Sequence, residues 1–261
     1  MAKGVYTCID SVSRNVKKIP VCIDGVSRNT KEGWACVDGV SRQFFSGSTI
    51  SDLAVGDSVF MNFSGLGNYT NNEFMIIHKG LPSTAYDSSC DGIWIIAKYM
   101  DQLSCKWTTT FGSDSYYNST VHQYLNNDVL SKFDSTMQNI IKSVLIPTRS
   151  GAVSTKLFLL SYDEVMGEPP YSSQTSEGAI LDYFNGASAE DRKCWQKKQS
   201  SAGNYWWLRT QYPLNSSGAY CIDSAGNSTW GMKTSATNTH PRFAMVLPHD
   251  TRLDENFNII A

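Results

Sequence analysis

The sequence predicts an α+β domain preceded by a small all-β module, and two patterns in it predict this. Short runs rich in β-branched and aromatic residues stand at both ends of residues 50–261, with helix-spaced segments between them. Ahead of them a 14-residue unit recurs three times without a slip, which predicts three small hairpins. The boundary is expected near Ser46-Gly47-Ser48-Thr49, giving a repeat module over 1–45 and one globular domain over 50–261.

The repeats are Cys8-Ile9-Asp10-Ser11-Val12-Ser13-Arg14, Cys22-Ile23-Asp24-Gly25-Val26-Ser27-Arg28 and Cys36-Val37-Asp38-Gly39-Val40-Ser41-Arg42. Asp-Gly favours the positive φ of a tight primed turn, and β-branched residues flank it. Ser11 replaces the glycine in the first copy, so that turn is expected to be strained or of another type. A large or rigid residue (Tyr6, Pro20, Trp34) stands two positions before each Cys, and each copy carries a basic tail. The repeated polar residues belong to turns and rims, which suits a docking or stacking device better than catalysis.

Within the domain, Ser58–Met61, Glu73–His78 and Gly92–Ala97 read as strands bounded by Gly, Asn and Asp. From Ser119 to Lys132 the apolar residues Val121, Tyr124, Leu125, Val129, Leu130 and, just beyond, Phe133 fall at helical spacings. A second helix is expected from Asp134 or Ser135, with Ser135-x-x-Gln138 as a capping box and Met137, Ile140, Ile141 and Val144 as its buried stripe. Leu157–Leu160 is a strand leading to a second capping box, Ser161 to Glu164. Residues 166–203 read mostly as a loop, long enough to suggest a functional or partly mobile insertion. Tyr205–Arg209, Ala219–Asp223, Ser228–Met232 and Arg242–Leu247 are strands again, so terminal strands could pair and bring the domain's ends together.

Composition excludes several classes. A chain of 261 residues with 41% hydrophobic and 12% aromatic residues can bury a full core. Its net charge of -2 argues against general nucleic-acid binding, which wants a strongly basic face. The Lys and Arg excess over residues 13–31 reads as solvated hairpin edge. No apolar run has the length of a signal or a membrane span, so a soluble chain made in a cytosol is expected. The seven cysteines lack C-x-x-C and zinc spacings and are read as reduced, and the five Asn-x-Ser/Thr sequons as loop composition.

Tyr205-Trp206-Trp207-Leu208-Arg209-Thr210, with Pro241-Arg242-Phe243-Ala244-Met245-Val246-Leu247-Pro248 downstream, resembles the "WWLRS … RPAL-LP" signature of a domain-of-unknown-function family common in tailed phages and prophages of gut Firmicutes. Phe74–Gly80, Tyr86–Gly92, His122–Asn126 and Leu157–Ser161 are similar to it as well, so the resemblance covers about residues 55–250. The N-terminal hairpins resemble the "GVAR"-type repeats of the same phage proteins. The resemblance implies a C-type-lectin-like fold and a virion protein assembled in a bacterial host cytoplasm. It would attach the particle to a host-surface glycan or protein, with the repeats contacting other virion proteins. A structural or decoration protein with no receptor is the alternative, as is a ligand-binding target of a diversity-generating retroelement. A homo-oligomer is expected, although no heptads or collagen-like stretch specify its order. Membrane insertion and nucleic-acid partners are not expected.

The resemblance also has gaps. Glu168-Pro169-Pro170 lacks the amide or carboxylate of a calcium-lectin sugar motif, so no metal and no cofactor are predicted. No cysteine pair is placed as in formylglycine-generating enzymes. No Gly-x-Ser-x-Gly elbow or His pair with metal spacing accompanies His78, His122, His240 and His249, and a non-enzymatic protein is expected. His122 reads as a core or cap histidine, and Asp163-Glu164 and Glu190-Asp191 as helix-start and loop charges. Trp206 and Trp207, adjacent on a strand, should point to opposite faces. In a lectin-like fold the loops between the last strands form the ligand face. The candidate ligand residues are Asn204, Tyr205, Tyr212, Asn215, Ser216, Asn227, Ser228, Trp230, Asn238 and His240, small polar residues with a few aromatics.

Overall fold

The computed structural model describes residues 20–23, 26–29, 33–37, 40–45, 48–65, 72–100, 105–109, 115–172, 174–196, 205–215, 217–233, 239–254 and 256–260. Before Ser48 the described backbone forms two antiparallel strand pairs. β1 (Pro20–Ile23) pairs with β2 (Val26–Asn29), and β3 (Gly33–Val37) with β4 (Val40–Phe45). Cys22 lies opposite Ser27 and Cys36 opposite Ser41, so the second and third copies of the repeat pair in the same register. The first copy, around Cys8, and the Asp-Gly dipeptides lie outside the described residues.

The rest is a mixed α+β fold around a contiguous apolar core. β5 (Ser58–Phe60), β6 (Glu73–Lys79) and β7 (Ile93–Ala97) occupy the predicted strands. The two-residue β8 (Tyr99–Met100) follows. The helical stretch after Ser119 is α-helical only in α1 (Thr120–Tyr124). It widens to a π turn over Leu125–Val129 and tightens to a 3₁₀ turn over Leu130–Lys132. Asn126 sits in the wide turn and ties it to a neighbouring segment. Its Nδ2 donates to the His122 and Leu157 carbonyls, and its Oδ1 accepts from Thr155, Lys156 and Leu157.

α2 (Ser135–Ile140) begins one residue earlier than its expected capping box: Asp134 is the N-cap and accepts from Met137 N at 2.8 Å, while Gln138 donates to Phe133 O. Of the stripe expected on this helix, Ile141 is the cap and Val144 opens β9 (Val144–Ile146), paired with β10 (Val153–Thr155). β11 (Phe158–Leu159) runs into α3 (Tyr162–Met166), where both hydrogen bonds of the Ser161/Glu164 capping box are present. The predicted loop after α3 holds a 3₁₀ turn at Asp182–Phe184, α4 (Ala189–Arg192) and β12 (Trp195–Gln196), which pairs parallel with β8. The C-terminal strands are β13 (Tyr205–Gln211), β14 (Gly218–Ile222), β15 (Ser228–Met232), β16 (Thr239–Pro241) and β17 (Phe243–Leu247), then the short pair β18 (Arg252–Leu253) and β19 (Ile259–Ile260).

These strands build two main sheets. The first has the order β11-β17-β7-β6-β5, antiparallel throughout. All five residues of β7 and of β17 are buried, which explains why both read as unbroken apolar runs without alternation. Burying each large side chain contributes roughly 1.5–3 kcal/mol. The β7–β17 seam leaves no room at Gly92, where a Cβ would lie 2.5 Å from the Leu247 carbonyl oxygen. Ile50 N donates to Thr251 O at 2.8 Å and Leu253 N to Ser48 O at 2.9 Å, so the two ends of this domain meet, although the expected terminal strands β5 and β17 do not pair, since β6 and β7 lie between them.

The second sheet has the order β15-β14-β13-β16, with β13 and β16 parallel. Trp206 and Trp207 are both fully buried. Their indole N–H groups reach opposite segments, Trp206 to the Arg192 carbonyl at 3.1 Å and Trp207 to the Cys105 carbonyl at 3.0 Å. Their alternation holds, but structure packs on both sides of β13, so neither is a surface platform.

Candidate functional site

Beneath the end of β13 lies a buried polar network. Arg209 is completely buried, yet all five of its N–H donors are engaged. Nε donates to Pro147 O, Nη1 to Leu159 O and Glu164 Oε2, and Nη2 to Glu164 Oε1 and Glu177 O. The pair with Glu164 is bidentate, at 2.6 and 2.7 Å. Burial alone would lower the Arg209 pKa, but the Glu164 carboxylate outweighs it and holds the guanidinium charged.

Glu164 also accepts from the Tyr86 hydroxyl at 2.7 Å and from Ser161 N. Burial, with that carboxylate beside it, pushes the Tyr86 phenol well above its usual range. Glu177 accepts from Arg149 N and from the Thr210 hydroxyl, and its own N–H is held by Asp163. The helix-start reading of Asp163-Glu164 is therefore correct for position and incomplete for role. Glu164 caps α3 and is also the counter-ion of the core arginine.

On this base sits a pocket of about 300 Å³. The end of β13 supplies one wall with Gln211, Tyr212 and Pro213. The turn joining β9 to β10 supplies another with Thr148, Arg149 and Ser150, and Tyr116, Glu177 and Arg209 lie around it. That turn is closed by paired hydrogen bonds between Thr148 and Gly151, both 3.1 Å, with Gly151 at φ 109°. Arg149 is fixed over the pocket by Nη1 to the Gln211 carbonyl at 2.9 Å and Nη2 to Gln174 Oε1.

Beside the pocket an aromatic cluster reaches solvent. Tyr212 stacks on Trp230 with ring centroids 4.9 Å apart and planes 11° off parallel. Tyr220, opposite Trp230 on the sheet, packs edge-on against Tyr212 at 5.4 Å and, tilted by 59°, against Tyr162 at 4.7 Å. Trp230 is 42% exposed although it stands on a strand. A hydrogen bond with Tyr171 raises the Tyr212 phenol pKa. Large exposed aromatics beside a polar pocket are the chemistry that grips a ring with one apolar face and a polar rim.

The structure separates the candidate ligand residues into two groups. Tyr212, Asn215 and Trp230 converge around Gly218, whose Cβ would lie 3.1, 3.3 and 3.2 Å from atoms of the three. Asn215 shapes the loop by accepting from Ser217 N and Gly218 N. Tyr205 is half-buried at the other end of β13, opposite Thr239. Seven residues of strand separate it from Tyr212, about 23 Å at 3.3 Å per residue. Asn227 and Ser228 lie toward that far end, opposite Asp223 and Ile222. His240 is buried, 5% exposed. Asn204, Ser216 and Asn238 lie outside the described residues. A continuous ligand face from residue 204 to 240 is thus not what the strands build.

The chain belongs to the DUF6273 family, a domain of unknown function. The match runs over residues 91–249, which takes in every residue lining the pocket and the whole aromatic cluster and leaves out the N-terminal repeats. No curated protein and no solved structure matches the chain. The family segment begins just before β7 and ends just after β17, so it spans the centre of the first sheet and all of the second.

Arg149, Glu177 and Gln211 gave no signal in the sequence. Arg149 stands in an ordinary turn string, Pro147-Thr148-Arg149-Ser150-Gly151, and Glu177 in the long insertion. Only the tertiary fold brings them to one cavity. Among the described residues no group of three or more His, Cys, Asp or Glu side chains could hold a metal ion, and no helix is long and apolar enough to cross a membrane.

Proposed function

We propose that this protein is a non-enzymatic virion protein of a tailed phage that binds a host-surface glycan through the Tyr212–Trp230 face and the pocket beside it. The repeats of residues 1–45 form a hairpin module that docks the chain on the particle, and the domain over 50–261 is C-type-lectin-like. The open, near-parallel Tyr212–Trp230 stack at the pocket mouth is the observation that carries the binding role. The phage setting and the lectin-like fold are supported by the sequence resemblance. Both carboxylates near the pocket have their oxygens engaged internally, which favours recognition over general acid-base chemistry.

Adsorption of the purified protein to cell envelopes of candidate Firmicutes hosts tests the reading. Replacing Tyr212 and Trp230 together by Ala should remove adsorption while the domain still melts cooperatively, at a stability lowered through Tyr212, which packs against the core. Unchanged adsorption by that variant would leave the face without a binding role and favour a decoration protein. Release of sugar or peptide from cell walls would show an enzyme instead.

A further inference from the structure

Two guanidinium groups line the pocket, and their surroundings differ. Arg209 has all five donors engaged and a carboxylate gripping it through two of them. Arg149 has two engaged, both with neutral amide oxygens, Gln211 O and Gln174 Oε1. Its Nε is buried with no hydrogen-bond partner. Among the described residues no Asp or Glu forms an ion pair with it. Glu177, which also lines the pocket, meets Arg149 only at the backbone N–H, at 3.0 Å, and its other oxygen takes the Thr210 hydroxyl. A guanidinium held half-buried against neutral acceptors lacks the counter-ion that such a group ordinarily has.

We infer that the pocket takes a carboxylate, so that the ligand of the Tyr212–Trp230 face is an acidic sugar whose carboxyl group pairs with Arg149. This rests on the glycan-binding reading above. Tyr212 belongs both to the pocket wall and to the stack, so one sugar ring can lie against the aromatic cluster while a substituent enters the pocket. A cavity of about 300 Å³ holds such a group with part of its ring. A carboxylate offers two coplanar oxygens to the planar guanidinium fork. It is also a monoanion, and a dianionic phosphate monoester would face the neighbouring Glu177 carboxylate with twice the charge.

The test is a panel of carboxylated oligosaccharides of uronic, sialic and muramic type, each beside its carboxyl-reduced neutral counterpart. Binding is titrated by calorimetry to the full-length protein and to its Arg149→Gln, Arg149→Lys and Trp230→Ala variants. At least one acidic member should bind about tenfold or more tightly than its neutral partner, the scale of one charge-assisted pair. Arg149→Gln should erase that preference, with a cooperative melting curve reporting that the variant is folded, and Arg149→Lys should retain part of it. Equal affinity for acidic and neutral members, lost together in Trp230→Ala, overturns the carboxylate inference and leaves the glycan reading standing. Binding of no member of the panel overturns both.

Discussion

Replacing Glu164 by Gln removes one charge from the most enclosed ion pair among the described residues and leaves its shape almost unchanged. Both partners have no exposed side-chain surface, so water cannot solvate the guanidinium left behind. Gln would present an amide N–H where Arg209 now finds a carboxylate oxygen, so at least one of the bonds at 2.6 and 2.7 Å becomes a donor-donor clash. Breaking one side of a buried pair typically costs about 3–5 kcal/mol, because the surviving charge is uncompensated. For a domain of this size that lowers Tm by roughly 6–20 °C, taking 2–4 °C per kcal/mol. It is a large share of a total stability of about 5–15 kcal/mol.

Urea denaturation of wild type, Glu164→Gln, Arg209→Met and the double variant gives the pair's coupling directly. The double variant should lose less than the sum of the singles, by about 2 kcal/mol or more, since neither charge is then stranded. It should still be less stable than wild type, because the Pro147, Leu159 and Glu177 carbonyls lose their donor. A loss under about 1 kcal/mol for Glu164→Gln, or strict additivity, would refute the argument that this pair organises the core beneath the pocket.

Gly178 should tolerate no side chain. Its φ is 148° and a Cβ would fall 2.1 Å from the Tyr86 hydroxyl oxygen, so Gly178→Ala should displace Tyr86 from Glu164 and lower the urea midpoint by an amount equivalent to about 1–3 kcal/mol. An unchanged midpoint would contradict this packing. Acid should weaken the fold through His122, whose pKa is lowered by burial against a smaller opposing effect of the Tyr117 carbonyl. Its Nε2 is buried with no partner to accept a bond from a second proton. A depressed folded pKa means stability is complete above the unfolded value of about 6.5 and declines as pH falls from there toward the folded pKa. Stability measured from pH 7 to 5 should therefore fall less steeply in His122→Gln than in wild type, and parallel curves would refute the assignment.

Local signals in the sequence were legible because local physics decides them. Ser161 and Glu164 lie three residues apart and close their capping box within one turn, so the motif alone locates the start of α3. β7 and β17 read as strands because their whole length is apolar and short. The π turn at Leu125–Val129 was not legible, since it coincides with Asn126 reaching residues 155–157, about thirty positions away. The site was hidden for the same reason. Arg209 meets Glu164 across 45 residues and Arg149 meets Gln211 across 62, distances at which periodicity carries no information. Tyr212 and Trp230 were visible as aromatics in polar loops, but their stacking depends on the pairing of β14 with β15.

The same network explains how an insertion with little regular structure can carry one wall of a binding site. Among its described residues, the chain between α3 and β13 is anchored at several separate places. Near its start, Arg209 holds the Glu177 carbonyl, Asp163 holds the Glu177 N–H, and Tyr86 accepts from Ala179 N. Further on, Arg192 donates to the carbonyl of Gly226, at a contact so close that a Cβ on Gly226 would lie 1.7 Å from the Ala189 carbonyl oxygen. Ordering backbone costs roughly 1–2 kcal/mol per residue, so a wall built from loop holds its shape only where buried bonds offset that cost. The pocket wall at Glu177 is such a place, whereas Asn215 and Trp230 stand on half-buried or exposed side chains beside Tyr212, which packs against the buried Tyr220. Change at Asn215 and Trp230 alters what the face presents and leaves the base intact. Change at His240, buried beside Trp206 in the β13–β16 pairing, disturbs the core. A face diversified for recognition would therefore vary at the Tyr212 end of the sheet and stay constant at the His240 end, although the polar composition of residues 204–240 makes the two ends look alike.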